Sequence, residues 1–137
     1  MDQAQQQRIV DRIDIIDVFN RYATGVDMRD HDIYRACFTD QLDVNITGDS
    51  VSFDADRWVD QALTALANFE QTQHMISNHS IVVQGDEAEA IAYLQAHHFN
   101  KDSTWSVWGR YINRLSRTPD GWRISHLKLV MEWQERS

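Results

Sequence analysis

A chain of 137 residues is long enough for one hydrophobic core and too short for two, so the sequence predicts a single domain over residues 1–137. With 42% hydrophobic and 25% charged residues, the composition is that of a globular protein and excludes a largely disordered one. The formal net charge of −8 and the short apolar runs argue against nucleic acid and membranes as partners. No apolar leader opens the chain and Cys37 is its only cysteine, so a cytoplasmic location is expected.

Two helices are predicted at the start of the chain. Apolar residues recur at intervals of three and four from about Gln5 to Thr24, which indicates a long amphipathic helix that Gly25 can end as a C-terminal cap. After a short polar connection, a second helix is predicted from Asp32 to about Phe38. Either Asp30 or Asp32 can cap the first turn of that helix.

A short hairpin and a third helix are predicted next. Strict alternation in residues 42–46, followed by a Gly48-Asp49 turn and residues 51–53, is typical of two short strands. Asp54 then precedes a segment from Ala55 to about Phe69 with apolar residues along one side, so we expect it to cap a helix there.

The remainder of the chain is predicted as sheet. The expected strands are Thr72–Ser77, Ser80–Gln84, Glu89–Lys101, Thr104–Arg117 and Trp122–Trp133, separated by turn residues. The last three are longer than an ordinary strand, and long antiparallel strands in a small domain must curl. The sequence therefore predicts an α+β fold in which a cone-shaped, curved antiparallel sheet is closed by three N-terminal helices around a single pocket.

Three local patterns, in this order of elements, resemble a known family. They are residues 21–27 (RYATGVD), residues 72–76 (TQHMI) and the last hairpin, which runs from Gly109 to Ile124. The chain resembles the SnoaL-like domains of the nuclear transport factor 2-like superfamily over nearly its whole length. Within that superfamily, the first two patterns are similar to segments of scytalone dehydratase and of related dehydratases and dehydrochlorinases.

The resemblance implies a catalytic set of Asp27, His74 and Tyr22. Histidine suits proton transfer because its ordinary pKa of about 6.5 lets it accept and return a proton near neutrality. A carboxylate bonded to the other ring nitrogen would stabilise the charged imidazole. Each residue also has a structural interpretation: Asp27 as a loop carboxylate, His74 as a strand-edge residue, and Tyr22 as a core residue with its hydroxyl at the rim.

The resemblance also implies substrate-binding residues on two later strands. His97 and His98 are adjacent, so only one of them can face the pocket. Scytalone dehydratase has a second histidine on the corresponding strand, and either His98 or Asn100 falls near that position. Tyr111 and Asn113 share a strand face and match a Tyr-x-Asn of the dehydrochlorinase, so both are expected at the polar end of the pocket. A routine cross-strand tyrosine, with a neighbour that hydrogen-bonds to the backbone, explains them equally well.

No cofactor or metal is expected. The six histidines lack metal-ligand spacing, the glycines form no phosphate-binding loop, and Cys37 is expected to be an inert buried thiol. The function implied is a cofactor-independent, dehydratase-like lyase acting on a small apolar, oxygenated ring compound. The alternatives are a ketone- or steroid-type isomerase or a polyketide cyclase with the same site, and a non-catalytic ligand-binding or assembly domain. A homodimer or homotrimer formed through the outer sheet face is also expected.

Overall fold

A computed structural model describes residues 1–137 as two helices, a hairpin, a third helix and four long strands, with all six strands in one sheet. The helices are α1 (Gln3–Asp27), α2 (His31–Arg35) and α3 (Ala55–Leu66). The strands are β1 (Phe38–Asn45), β2 (Ser50–Asp54), β3 (Gln71–Gln84), β4 (Glu87–Asn100), β5 (Ser103–Thr118) and β6 (Gly121–Arg136). The predicted α+β fold, in which three helices cover a curved sheet, is confirmed. The sheet curls but does not close into a barrel. None of the three helices has the length and apolarity that crossing a membrane requires.

The six strands form one sheet in the order β2-β1-β6-β5-β4-β3. The four long strands form an antiparallel meander, and β1 and β2 form the predicted hairpin. One pair departs from the antiparallel pattern, since β1 runs parallel to β6 from Phe38 to Asn45. A parallel neighbour is possible there because the long meander separates β1 from β6 in the chain. The hairpin thus extends the sheet beyond the last strand.

Helix α1 is longer than predicted, and this places Asp27 within it. Gly25 does not cap the helix: a Cβ atom at this position would lie 2.8 Å from the backbone nitrogen of Tyr34, so glycine is needed where α2 crosses α1. The C-terminal cap is instead Met28, whose N–H group donates to the carbonyl oxygen of Thr24 at 2.9 Å. Asp27 is therefore the last helical residue, rather than part of the following loop.

Strand β3 joins two predicted strands through an irregularity. The pairing with β4 shifts between Ser77 and Ser80, and Asn78 in the gap has a φ angle of 54°. Such an irregularity changes which side chains face inward. The side chains on the concave face of β3 therefore continue from His74 to Ile81 without strict alternation. Two helix ends also differ from prediction, because α2 stops at Arg35 before Phe38 opens β1, and α3 stops at Leu66.

The hydrophobic core lies between the helices and the concave face of the sheet. Strand β4 contributes four buried alanines to this face, Ala88, Ala90, Ala92 and Ala96. Small residues leave space for larger ones in a close-packed interior. Aromatic rings from α1, α2 and β5 occupy the neighbouring part of the core, and Tyr22 contacts Tyr34 and Tyr111 with ring centroids 5.0 and 5.3 Å apart.

Candidate active site

Asp27 and His74 meet where the end of α1 lies over the start of β3. The Asp27 Oδ1 atom is 2.8 Å from Nδ1 of His74 and accepts a hydrogen bond from the Thr72 hydroxyl at 2.9 Å. Its other oxygen accepts the backbone N–H of His74 at 2.8 Å. Three donors from one strand therefore fix the carboxylate, and the strand alternation that puts Thr72 and His74 on one face makes this possible.

These contacts determine which nitrogen of the His74 ring carries the proton. A carboxylate only accepts hydrogen bonds, so the Nδ1 atom facing Asp27 is the protonated one. In the neutral ring the Nε2 atom then carries a free lone pair. The His74 side chain is only 8% exposed and lines the cavity described below, whereas the Asp27 side chain is 23% exposed. His74 thus offers a proton acceptor in a largely water-free setting.

His98 faces the same space from β4. Its Nδ1 atom lies 3.0 Å from the carbonyl oxygen of Trp105, so this nitrogen donates and Nε2 is the free acceptor. The ring stacks on Trp105 with centroids 4.4 Å apart and lies 5.8 Å from the ring of His74. Burial lowers the pKa of His98 below its ordinary value, because the charged form loses solvation.

His97 points to the opposite face of the sheet, as strand alternation requires. Its ring lies 2.7 Å from the hydroxyl of Ser106 and packs edge-on against Trp108. The sequence left open which of the two adjacent histidines faces inward, and the structure places His98 there.

Three tyrosines form the floor of the site. The hydroxyl groups of Tyr22 and Tyr111 are 3.3 Å apart, and the ring of Tyr34 packs edge-on against Tyr22. Burial raises the pKa of Tyr22 and of Tyr111 well above its ordinary value, because the phenolate would lose its hydration. Both hydroxyls therefore stay protonated and can donate hydrogen bonds.

These groups surround one apolar cavity of about 230 Å³. Of its 17 lining residues, 15 are hydrophobic and the other two are His74 and His98, so the histidines supply its polar chemistry together with the tyrosine hydroxyls. No lysine or arginine lines it. The lining comprises Tyr22, Val26, Tyr34, Ile46, Trp58, Ala62, Ala65, Leu66, His74, Leu94, Ala96, His98, Trp105, Val107, Tyr111, Leu129 and Met131.

Two of the expected substrate-binding residues do not line the cavity. Asn100 lies at the far end of β4, where its side-chain oxygen accepts the backbone N–H of Glu70 at 3.1 Å. Asn113 shares the inner face of β5 with Tyr111 but is buried in the core, and its oxygen accepts the backbone N–H of Lys128 at 3.1 Å. Both expectations are corrected because the two amides hold backbone groups. Tyr111 and His98 are the members of that set that do line the cavity.

Thr72 and Trp105 are neighbours of the site that sequence reasoning missed. Thr72 is buried and bonds to Asp27, and Trp105 both stacks on His98 and accepts its Nδ1–H group. The alternation of β3, which pairs Thr72 with His74 on one face, was a usable signal for the first. Trp105 carried no such signal, because its role depends on the register that places it opposite His98.

No group of three or more histidine, cysteine, aspartate or glutamate side chains is placed to share a metal ion. Cys37 is fully buried, and burial raises the pKa of its thiol to about 12. A thiol with this pKa stays protonated at neutral pH and is a poor nucleophile.

The fold recurs in solved structures of other proteins. The Kfla4162 protein of Kribbella flavida is 31% identical, with a TM-score of 0.89, and the match covers 93% of this chain and 95% of that one. A proposed scytalone dehydratase from Novosphingobium aromaticivorans is 18% identical over 96% and 90% of the two chains, with a TM-score of 0.85. A hexachlorocyclohexane dehydrochlorinase from Novosphingobium barchaimii is 15% identical over 97% and 94%, also with a TM-score of 0.85.

Family assignment rests on sequence as well as on shape. No protein among those with curated functions matches the chain significantly. The family model of the SnoaL-like domain matches residues 7–128, which include both Asp27 and His74. The chain therefore belongs to the SnoaL-like domain family, within the nuclear transport factor 2-like superfamily.

Proposed function

We propose that this protein is a cofactor-independent lyase that eliminates water from a small, apolar, oxygenated ring compound. The observation that carries the proposal is the Asp27–His74 pair, whose imidazole opens into a cavity lined mainly by apolar side chains. The fold shared with a dehydrochlorinase and a proposed scytalone dehydratase is consistent with elimination chemistry. Fold alone does not define a reaction, whereas the chemistry of the site does favour proton transfer.

The proposed reaction begins at His74. Its Nε2 lone pair takes a proton from a carbon beside a carbonyl group, and the electrons of the broken C–H bond form an enolate whose negative charge lies on the carbonyl oxygen. Asp27 stabilises the resulting imidazolium through Nδ1. The enolate electrons then form the new carbon–carbon double bond as the bond between the neighbouring carbon and its hydroxyl group breaks, and the departing hydroxide takes the proton back from Nε2 and leaves as water.

Tyr22 and His98 have supporting roles in this proposal. The Tyr22 hydroxyl, held by Tyr111, donates a hydrogen bond to the carbonyl oxygen as negative charge develops there. His98, kept neutral by burial, accepts a hydrogen bond from a substrate hydroxyl through Nε2. Acid–base assistance of this kind typically contributes about 10²–10⁴ in rate, and the apolar lining of the cavity strengthens polar contacts within it.

Solvent deuterium exchange tests the proton-abstraction step without knowledge of the natural substrate. Candidate cyclic ketones and phenols are incubated in D₂O with the wild-type protein, His74→Ala and Asp27→Asn, and deuterium uptake is measured by NMR. Uptake with the wild type that falls sharply in both variants is the expected result. Equal uptake with all three proteins would remove the catalytic claim and leave a ligand-binding domain.

Isomerisation or cyclisation at the same site remains the alternative enzymatic function. Both begin with the same proton abstraction, but an isomerisation, or an aldol addition that closes a ring, releases no water. Product analysis by mass spectrometry separates them, because a dehydrated product is lighter than its substrate by one water and an isomer has the same mass.

We also propose that the protein is a homodimer or a homotrimer that associates through the convex face of the sheet. This face carries a groove of about 810 Å³ whose lining includes Met75, Tyr93 and Trp108. Tyr93 is 52% exposed, and apolar side chains in such a position are typical of interfaces. Light scattering measures the mass directly, and a monomer of 16.0 kDa would contradict the proposal.

A further inference from the structure

The wall of the cavity is thin at Ile46, the first residue after β1. The pairing of β1 with β6 ends at Asn45 and Lys128, and β6 continues to Arg136 without β1 beside it. Ile46 lies at this fork and forms part of the cavity lining together with Leu129 and Met131 of β6. At this point the site is bounded by side chains rather than by paired backbone.

A second cavity of about 280 Å³ lies on the other side of this wall, between the β1–β2 hairpin and α3. We call it the seam cavity, and its lining residues are Val44, Ile46, Thr47, Asp49, Val51, Phe53, Trp58, Gln61, Ala62 and Ala65. Four residues line both cavities, namely Ile46, Trp58, Ala62 and Ala65. A single layer of side chains therefore separates the seam cavity from the space that contains His74.

Ile46 is the side chain of this layer best able to open it. The α3 side of the wall is formed by Ala62 and Ala65, whose methyl groups cannot swing aside. Trp58 is only 7% exposed and packs against Phe53 with ring centroids 5.4 Å apart. Ile46 is partly exposed and precedes the loop 47–49, so a change of its side-chain rotamer meets the least resistance.

The seam cavity has the chemistry of a hydrocarbon-binding site. Seven of its ten lining residues are hydrophobic, and no lysine or arginine is among them. Asp49 and Gln61 are its longer polar side chains. An uncharged alkyl or aryl group gains free energy there by leaving water, whereas an anionic group finds no cation to pair with.

We propose that the seam cavity is a second subsite, which binds an apolar substituent of the same molecule whose reacting ring lies against His74. Ile46 sets the length of substituent that can pass between the two cavities. The inference rests on the proposed function for the position of the ring, and it adds the substrate class: a ring compound carrying an uncharged alkyl or aryl extension.

A homologous series of 4-alkylphenols, from 4-methylphenol to 4-hexylphenol, tests this subsite by calorimetry. Burial of each further methylene group tightens binding by about fourfold. The wild-type protein should show this gain through the longest chains. Val51→Trp fills the seam cavity from its outer side, so it should stop the gain for the long chains and leave the affinity for 4-methylphenol unchanged.

Lys128→Trp is the matched control, because Lys128 borders a different groove beside Ile46 that Leu129 and Met131 also line. It should leave the whole series unchanged. If Lys128→Trp stops the gain and Val51→Trp does not, the extension binds along β6 and the proposal is overturned. A gain that ends at the same short chain in the wild type and in Val51→Trp overturns it as well.

Ile46 is examined with two variants so that one misfolded protein does not decide the result. Ile46→Ala should tighten binding of the long chains relative to 4-methylphenol, and Ile46→Phe should weaken it, with folding of both checked by circular dichroism. Opposite changes in the relative affinity for long chains support the role of Ile46 in limiting passage between the cavities, and equal changes refute it. If 4-methylphenol does not bind the wild type, the proposed ring site is rejected as well. If 4-methylphenol binds but affinity does not rise with chain length, only the seam subsite is rejected.

Discussion

Helix α1 presents two carboxylates to the sheet, Asp11 in its first half and Asp27 at its last residue. The two sites differ in whether a polar atom is left without a hydrogen-bond partner. Near the start, Asp11 accepts hydrogen bonds from Gln7, from two nitrogens of Arg117 at 2.7 and 3.0 Å, and from the indole of Trp122 at 3.2 Å. At the end, Asp27 binds His74, whose Nε2 atom is left free on the side of the cavity.

The difference shows why one buried pair is structural and the other is a candidate site. Arg117 also donates to Asp86 and to the carbonyl oxygen of Gly85, and its guanidinium lies 4.5 Å from the centre of the Trp122 ring. Every strong polar group at that end is thus satisfied by the protein itself. His74 keeps one acceptor unused beside an empty space, which is what proton transfer to a substrate requires.

The largest expected effect comes from Asp27→Asn. The amide can place an NH₂ group against Nδ1 of His74, which favours the wrong tautomer and removes the charge that stabilises the imidazolium. We expect deuterium exchange into a responsive ketone to fall by about 10²–10⁴-fold. Asp11→Asn is the control, because it alters the other carboxylate of the same helix, and its exchange rate should remain near that of the wild type. Similar losses in the two variants would mean that the rate reports general destabilisation.

Asp11→Asn should have the larger effect on stability. The substitution replaces the buried carboxylate that pairs with Arg117 by a neutral amide. The Arg117 side chain is 32% exposed and keeps Asp86 as a partner, so we expect a loss of about 2 kcal/mol, typical of a hydrogen bond to a charged group. Urea denaturation measures the change in the free energy of unfolding. Asp86→Asn removes an exposed partner of the same arginine and should cost less than about 1 kcal/mol. Equal losses in both variants would show that burial of Asp11 is unimportant.

Much of the fold could be predicted from the sequence, because its signals are local and repeated. Helical spacing identified α1 and α3, alternation identified the strands, and Asp54 caps α3 as expected. The errors arose where a distant contact overrides a local signal. Gly25 has the local signal of a helix cap, but it is required by the close packing of α2 against α1. The irregularity after Ser77 joins two predicted strands into one.

The candidate site was predicted only in part, for a related reason. Asp27 and His74 are brought together, but Asn100 and Asn113 bond to backbone groups instead of lining the cavity. Strand alternation predicts which face of the sheet a side chain is on, but not how far along the strand the cavity extends. It therefore could not predict that Tyr111 lines the cavity and Asn113 does not. The seam cavity depends on where β1 leaves β6, and no single segment of sequence records that point.

The smallest expected effect is the acid sensitivity of stability that Asp11 contributes. Hydrogen bonding from Arg117 lowers the pKa of Asp11, so its carboxylate is protonated at a lower pH in the folded protein than in the unfolded chain. Its contribution to stability is therefore complete above the unfolded pKa of about 3.9 and is lost as the pH falls through the folded value. Between about pH 5 and pH 2, wild-type protein should lose more unfolding free energy than Asp11→Asn, as measured by urea denaturation at each pH. Parallel curves for the two proteins would place the acid-sensitive groups elsewhere.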